Sequence, residues 1–203
     1  MYLKEAFNPS TIEEAKNICI SPSKNNPGKF EKETVFTINF LVDERLVFND
    51  SSVLDFGCGV GRLSKAVISR LGCRVDGFDI SQSMLERANE FVLSKNFKPV
   101  LYTKGMEYEG RFDVALSFFV LQHSEHPIED IEFIHSILKD SGKLVLMNEP
   151  KRFVPVSMDM NRFVQWEDDG IDIEAEVSKK FRLMERYQYM SRTDKMLMVW
   201  EKI

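Results

Sequence analysis

Three glycines fall within five residues in the run Val53-Leu54-Asp55-Phe56-Gly57-Cys58-Gly59-Val60-Gly61-Arg62-Leu63. An apolar stretch precedes them and an amphipathic one follows, so the run reads as strand, tight turn and helix. Glycine leaves the backbone bare for a ligand to approach, and the helix behind the turn aims its free N–H groups at that ligand. Asp55 stands just before the turn. Asp79 comes 22 residues after Gly57, at the end of the next apolar run. A carboxylate there can accept hydrogen bonds from both hydroxyls of a ribose. Together these residues predict a site for a nucleoside-containing cofactor. The dinucleotide fingerprint would need glycine where Arg62 stands, which weighs against a nicotinamide enzyme, and no Gly-Lys-Ser/Thr follows to make a P-loop. Cys58 could be a thiolate at a helix N-terminus, but its expected role is that of a small residue that fits the turn.

A second kind of chemistry is suggested farther on. His123 comes four residues after the apolar run Phe112 to Phe119, on the ligand side of the sheet, and imidazole titrates near neutral pH, as a general base must. Glu149 holds the equivalent place after Lys143 to Met147. Tyr2 and Tyr108 are further candidates if the N-terminal segment folds over the site. His126 and His135 carry no expected role. Cys19, Cys58 and Cys73 are widely spaced and include no Cys-x-x-Cys pair, so neither a disulfide framework nor a zinc site is expected.

The elements that must position these groups alternate regularly from Ser52 onward. Strands are predicted at Val53–Phe56, Arg74–Asp79, Pro99–Thr103, Phe112–Phe119 and Lys143–Met147. Helices are predicted at Arg62–Leu71, with Gly72 as its stop, after a Ser83/Glu86 capping box, and from Pro127 to about Leu138. Asp140-Ser141-Gly142 reads as the turn into the fifth strand. Continuously apolar middle strands between helices imply a mainly parallel sheet covered on both faces, whose ligands sit at the carboxyl ends of the strands. Before this core, helices are predicted at Thr11–Ile18 and about Phe30–Phe48, parted by turn formers at Ser21–Gly28. After it, 181–190 and 195–202 read as a hairpin. The stretch Lys151 to Lys180 is rich in Phe, Met, Val and Trp. It is expected to be a helix packed on the sheet mixed with an acceptor-pocket wall, with Phe163 and Trp166 near the pocket.

Composition bounds the partners. The chain has 203 residues, 43% apolar and 29% charged, with net charge −5. That fits one soluble domain. The acidic balance disfavours nucleic acid. No apolar run approaches the length of a membrane span and no signal core opens the chain, so a cytoplasmic protein is expected.

The run from Val53 to Leu63 resembles the signature of class I S-adenosylmethionine-dependent methyltransferases. Gly77-Phe78-Asp79-Ile80-Ser81 resembles that family's ribose-binding acidic motif, Phe112-Asp113-Val114-Ala115 through Val120-Leu121-Gln122-His123 its fourth-strand motif, and Leu138 to Leu144 its turn into the fifth strand. The resemblance covers about Ser52 to Asn148. It implies an α/β fold, a Rossmann-like three-layer sandwich whose seven-stranded, mostly parallel sheet ends in an antiparallel hairpin. It further implies one methyltransferase domain over 1–203, with 1–50 an N-terminal helical cap, 51–150 the cofactor-binding core, and 151–203 the acceptor-side segment plus hairpin. By the same resemblance S-adenosylmethionine is the cofactor, without a metal. The turn Gly57 to Gly61, with Cys58, Gly59 and Gly61, lies under its methionine part, Asp55 helps hold its amino group, and Arg62 belongs to the same cofactor-binding set. Asp79 takes the ribose, Ile80 and Met84 cover the adenine, Met106 and Glu107 meet its edge, and Ser117 and Phe118 complete the set. Lys104-Gly105-Met106-Glu107 departs from the family's usual Gly-Asp pair. Little chain is left for clasping a large partner, so the expected acceptor is a small-molecule hydroxyl or amine, with His123 and Glu149 as catalytic candidates, in a monomer or homodimer. A protein or peptide amine, a nicotinamide-dependent oxidoreductase and a non-catalytic nucleoside-binding regulator are the alternatives.

Overall fold

The computed structural model describes residues 1–20, 28–149, 151–158, 164–190 and 192–203. Two units are distinguished within it, Phe7–Tyr102 and Met1–Ala6 with Thr103–Ile203.

In the first unit, α1 (Ile12–Cys19) and α2 (Lys29–Asp43) precede β1 (Ser52–Phe56), α3 (Arg62–Leu71), β2 (Arg74–Asp79), α4 (Gln82–Val92) and β3 (Phe97–Leu101). The strands pair in parallel, β1 with β2 from Ser52↔Arg74 to Phe56↔Phe78, and β2 with β3 from Val75↔Phe97 to Asp79↔Leu101. Val53, Leu54, Val75 and Phe78 are fully buried, as continuously apolar strands between helices require. Gly72 closes α3 in the left-handed conformation.

Two local expectations are corrected here. Residue 83 is not the cap of α4. Ser81 is, its Oγ accepting the Met84 N–H at 3.1 Å, because the Asp79 carboxylate takes the Ser81 N–H and turns the chain two residues earlier. The helix predicted to run to Phe48 stops at Asp43. Arg45 is left-handed there, and the N–H groups of Leu46 and Val47 return to the Leu41 carbonyl, so Val47 is buried by a fold-back and not by a helical stripe.

In the second unit, β4 (Phe112–Phe118) is followed by a 3-10 turn (Leu121–His123), α5 (Pro127–Ile137), β5 (Leu138–Met147), β6 (Val154–Met158), β7 (Val164–Glu167), α6 (Ile173–Ser178), β8 (Phe181–Tyr189) and β9 (Arg192–Lys202). β4 and β5 are parallel, while β9 is antiparallel to both β5 and β8. The turn expected at 140–142 lies inside β5. Phe112 pairs with Leu138 and Val114 with Lys143, so the intervening residues bulge out, with Ser141 left-handed. Between Lys151 and Lys180 the expected packed helix is replaced. The described residues form a two-stranded antiparallel ribbon, β6–β7, and the short α6. Runs such as Val154-Pro155-Val156 have β-branched residues and a proline, which suit an edge ribbon better than a helix. Phe163 lies outside the described residues. The strand order is β3-β2-β1-β4-β5-β9-β8, a seven-stranded, mostly parallel sheet with an antiparallel last hairpin.

Candidate functional site

In the unit Phe7–Tyr102, the glycine turn is tied directly to the acidic residue. Asp79 Oδ2 accepts the Gly59 N–H at 3.0 Å and its Oδ1 accepts the Ser81 N–H at 3.0 Å. One residue therefore shapes the turn after β1 and starts α4 after β2. Each carboxylate oxygen can accept more than one hydrogen bond, so both retain capacity for a hydroxyl donor. Burial pushes the Asp79 pKa up to about 6, against the pull of these backbone donors. A ligand that brings two more donors stabilises the ionised form, and this is the fit expected of a ribose diol. The diol prefers the carboxylate, so affinity is full above pH 6 and falls as pH drops through it, by up to about tenfold per pH unit. Calorimetric titration of S-adenosylmethionine at pH 7.5, 6 and 5 checks this, and a flat profile would show that Asp79 is not the diol acceptor.

Other expected residues have partners of their own in this unit. Asp55 Oδ2 accepts both the N–H and the Oγ–H of Ser64, at 3.1 and 2.6 Å, which fastens β1 to the first turn of α3. Burial raises the Asp55 pKa, opposed by Ser64 and the nearby Arg62. Arg62 is itself buried and donates to Thr34 Oγ1 on α2 at 3.3 Å, with the Phe30 ring beneath its guanidinium. Burial holds the Cys58 thiol well above its ordinary pKa, which favours the small-residue role over a thiolate. Ile80 is half-buried. Met84 is buried in a cluster with Ala15 of α1 and Val60 of the turn.

The helix α1 bears on the turn in a way the sequence does not announce. Cys19 Sγ accepts the Val60 N–H at 3.4 Å, and a Cβ on Gly59, which is left-handed, would stand 2.3 Å from that sulfur. Asn8 adds a bond from Ser81 Oγ at 2.7 Å. Gly61 serves packing. A Cβ there would stand 2.5 Å from Val92 of α4, and its φ is +77°. Gly61→Ala should therefore destabilise the fold by about 2–4 kcal/mol, from left-handed strain and overpacking together. Thermal unfolding checks this, and a melting temperature unchanged within a degree would refute it.

In the unit containing Thr103–Ile203, Gln122, His123 and Glu149 are brought together. Gln122 is buried, and its Oε1 accepts the Glu149 N–H at 2.5 Å. That fixes the amide with Nε2 toward His123 Nε2, 3.0 Å away. His123 Nδ1 lies 2.6 Å from the Phe153 carbonyl. A carbonyl only accepts, so Nδ1 carries the proton and Nε2 is the basic nitrogen. Burial lowers the His123 pKa, partly offset by the Phe153 carbonyl and Glu149. Its ring packs against Trp166 of β7, centroids 4.8 Å apart. Arg152, buried, holds this arrangement together by donating to the Leu121 carbonyl at 2.8 Å and pairing bidentately with Asp169. Gln122 and Arg152 were missed by sequence reasoning, since their partners lie 27 and 17 residues away and no local pattern marks them. Ser117 is fully buried and Phe118, the last residue of β4, is half-buried. Met106 is half-buried in a turn donating to the Thr103 carbonyl, and Glu107 is exposed. Tyr108 stacks on Phe112.

A family profile described as a methyltransferase domain matches residues 23–194. The ubiquinone biosynthesis O-methyltransferase of Pseudomonas aeruginosa (strain UCBPP-PA14) is 31% identical over 110 residues, 52% of this chain and 47% of that protein. The chain thus spans about half the length of the curated relatives it matches. Among solved structures, the magnesium protoporphyrin IX methyltransferase of Synechocystis PCC 6803 with bound SAM has a TM-score of 0.67 at 20% identity, over 98% of this chain and 95% of that one. The [4+2]-cyclase SpnF has a TM-score of 0.63 at 17% identity, over 83% and 80%. Likeness at these identities is likeness of fold.

Proposed function

The chain belongs to the methyltransferase-domain family, and from that premise we propose that it transfers a methyl group from S-adenosylmethionine to a small-molecule hydroxyl or amine acceptor. Residues 1–203 act as one methyltransferase domain in the cytoplasm. The observation that carries the donor is Asp79, a carboxylate with a raised pKa that organises the glycine turn and has capacity for a diol. When bound, S-adenosylmethionine supplies an electrophilic methyl on a sulfonium sulfur. Asp79 receives the ribose hydroxyls. Gly57 to Gly61 present bare backbone, with Asp55, Ile80, Met84, Met106, Glu107, Ser117 and Phe118 completing the donor's contacts. Most of the rate then comes from holding acceptor and donor in line, worth roughly 7–11 kcal/mol at best. For a hydroxyl acceptor, His123 Nε2 takes the proton, exchanging the Gln122 amide for the substrate hydroxyl, and Glu149 is the neighbouring carboxylate that favours the resulting imidazolium.

The small-molecule acceptor is supported by the O-methyltransferase relatives and by the modest size of the β6–β7 ribbon, which exposes Trp166, with Phe153 exposed just before β6. The test is incubation with isotopically labelled donor and a metabolite extract, with mass-spectrometric detection of products heavier by one CH2. A labelled small molecule is the expected result. Label found only in protein would move the acceptor to a peptide amine. Binding of NAD but not S-adenosylmethionine in a calorimetric titration would overturn the donor.

A further inference from the structure

We propose that Asn148, just past the end of β5, recognises a neutral hydroxyl group of the methyl acceptor, a role that rests on the methyl-transfer reading above. Asn148 is 9% exposed, and among the described residues neither its Oδ1 nor its Nδ2 has a hydrogen-bond partner. Buried amides without partners are rare, because the lost hydration is not replaced. Ser117 Oγ is a second polar atom in the same condition. Ser117 is in register with Leu146 and Phe118 with Met147. Side chains alternate along a strand, so Ser117, Leu146 and Asn148 share one face of the sheet.

The end of β4 gives an independent sign. Phe119 would be the next register partner, the residue lying beside Asn148. Its N–H still donates to the Met147 carbonyl, at 2.6 Å, but its φ is +60° and the strand ends before it. A bulky residue in the left-handed region is strained, and such strain collects at functional positions. The strand thus turns away where it would otherwise have continued beside Asn148. Trp200 Nε1, another buried orphan of this unit, is in register with Leu144, four residues back along the strand, and takes no part.

The chemistry of the ligand follows from the amide itself, which offers one acceptor and two donors. A carboxylate or phosphate would satisfy only Nδ2, and an ammonium only Oδ1. A hydroxyl both donates and accepts, so it alone of the three leaves neither atom unpaired.

The experiment uses the full chain and three probes on the same ring, catechol, benzoate and benzylamine, titrated at pH 7.5 with S-adenosylhomocysteine present and followed by ligand-observed NMR. Catechol should bind on the order of tenfold tighter than either charged probe, the factor that one unpaired buried group implies. Asn148→Leu should erase that preference, leave the melting temperature unchanged or raised, and leave S-adenosylhomocysteine affinity unaltered. Asn148→Asp, which only accepts, should shift the preference to benzylamine. Equal binding of the three probes to the wild type, no binding of catechol, or a catechol preference that survives Asn148→Leu would overturn the proposal. A large fall in melting temperature on Asn148→Leu would identify a structural amide and overturn it as well. Tenfold loss of S-adenosylhomocysteine affinity in that variant would assign Asn148 to the donor instead. Failure of the wild type to bind S-adenosylhomocysteine would sink the methyl-transfer reading while leaving the probe ranking to stand or fall separately.

Discussion

Asp79→Ala should lower the affinity for S-adenosylmethionine by about a hundredfold or more while the chain stays folded. Two ribose hydroxyls donating to a carboxylate contribute roughly 1.5 kcal/mol or more each, about 3 kcal/mol together, and 1.4 kcal/mol is a factor of ten. The same substitution releases the Gly59 and Ser81 N–H groups, each held at 3.0 Å, so the turn and the start of α4 lose their common anchor. Stability is affected less. A carboxylate whose folded pKa is raised contributes unfavourably at neutral pH, and that penalty begins to shrink as pH falls through about 6 and is gone only below the ordinary carboxylate value of 3.8. Removing it offsets part of the loss of the two backbone contacts. Asp79→Asn should not rescue binding. An amide has one accepting oxygen, so its NH2 must face Gly59 N–H, Ser81 N–H or a ribose hydroxyl, and at least one pairing is lost. Calorimetric titration against wild type, with circular dichroism to confirm folding, decides the matter. Unchanged donor affinity would remove the ribose assignment.

The parts of the fold legible in the sequence are those set by neighbours along the chain. The limits of α3 and β2 follow from the glycine turn, the apolar face of Arg62–Leu71 and the stop at Gly72, all within a few residues of one another. What was not legible depends on contacts at long range. The cap of α4 moved to Ser81 because the Asp79 carboxylate takes the Ser81 N–H, while its other oxygen serves Gly59, 20 residues away. Gly61 also makes room for Val92 on α4, a packing role that the turn pattern alone does not announce. Cys19 seemed a stray thiol until α1 brought it to the Val60 N–H, 41 residues on. The β6–β7 ribbon was misread because hydrophobic content without a clear period does not separate a short ribbon from a packed helix. The place of His123 in the connection after β4 was readable. Its tautomer was not, since that is dictated by the Phe153 carbonyl and the Gln122 amide.

That tautomer sharpens the last expected result. His123→Asn should lower turnover on a hydroxyl acceptor by about 10²–10⁴ and leave donor affinity nearly unchanged. The Phe153 carbonyl keeps the proton on Nδ1, so the lone pair is on Nε2, where it receives the Gln122 amide at 3.0 Å. Gln122 cannot rotate to present its oxygen there, because Oε1 already accepts the Glu149 N–H. The ring is thus held neutral and in one orientation, and in the proposed role a substrate hydroxyl would replace one donor by another at the same lone pair. Asparagine can still donate to Phe153, but its amide has no basic nitrogen. Burial keeps the His123 pKa below its ordinary value of 6.5. The wild-type rate should therefore hold through neutral pH and fall only as acid protonates Nε2, below pH 6.5. In the Asn variant the residual rate should lack that acid limb. A kcat–pH profile of both proteins on the acceptor identified by isotope labelling tests both statements. If the variant keeps most of its turnover at pH 7, or keeps the same acid limb, His123 only positions the loop between β4 and α5, and an amine that attacks in its neutral form becomes the better acceptor.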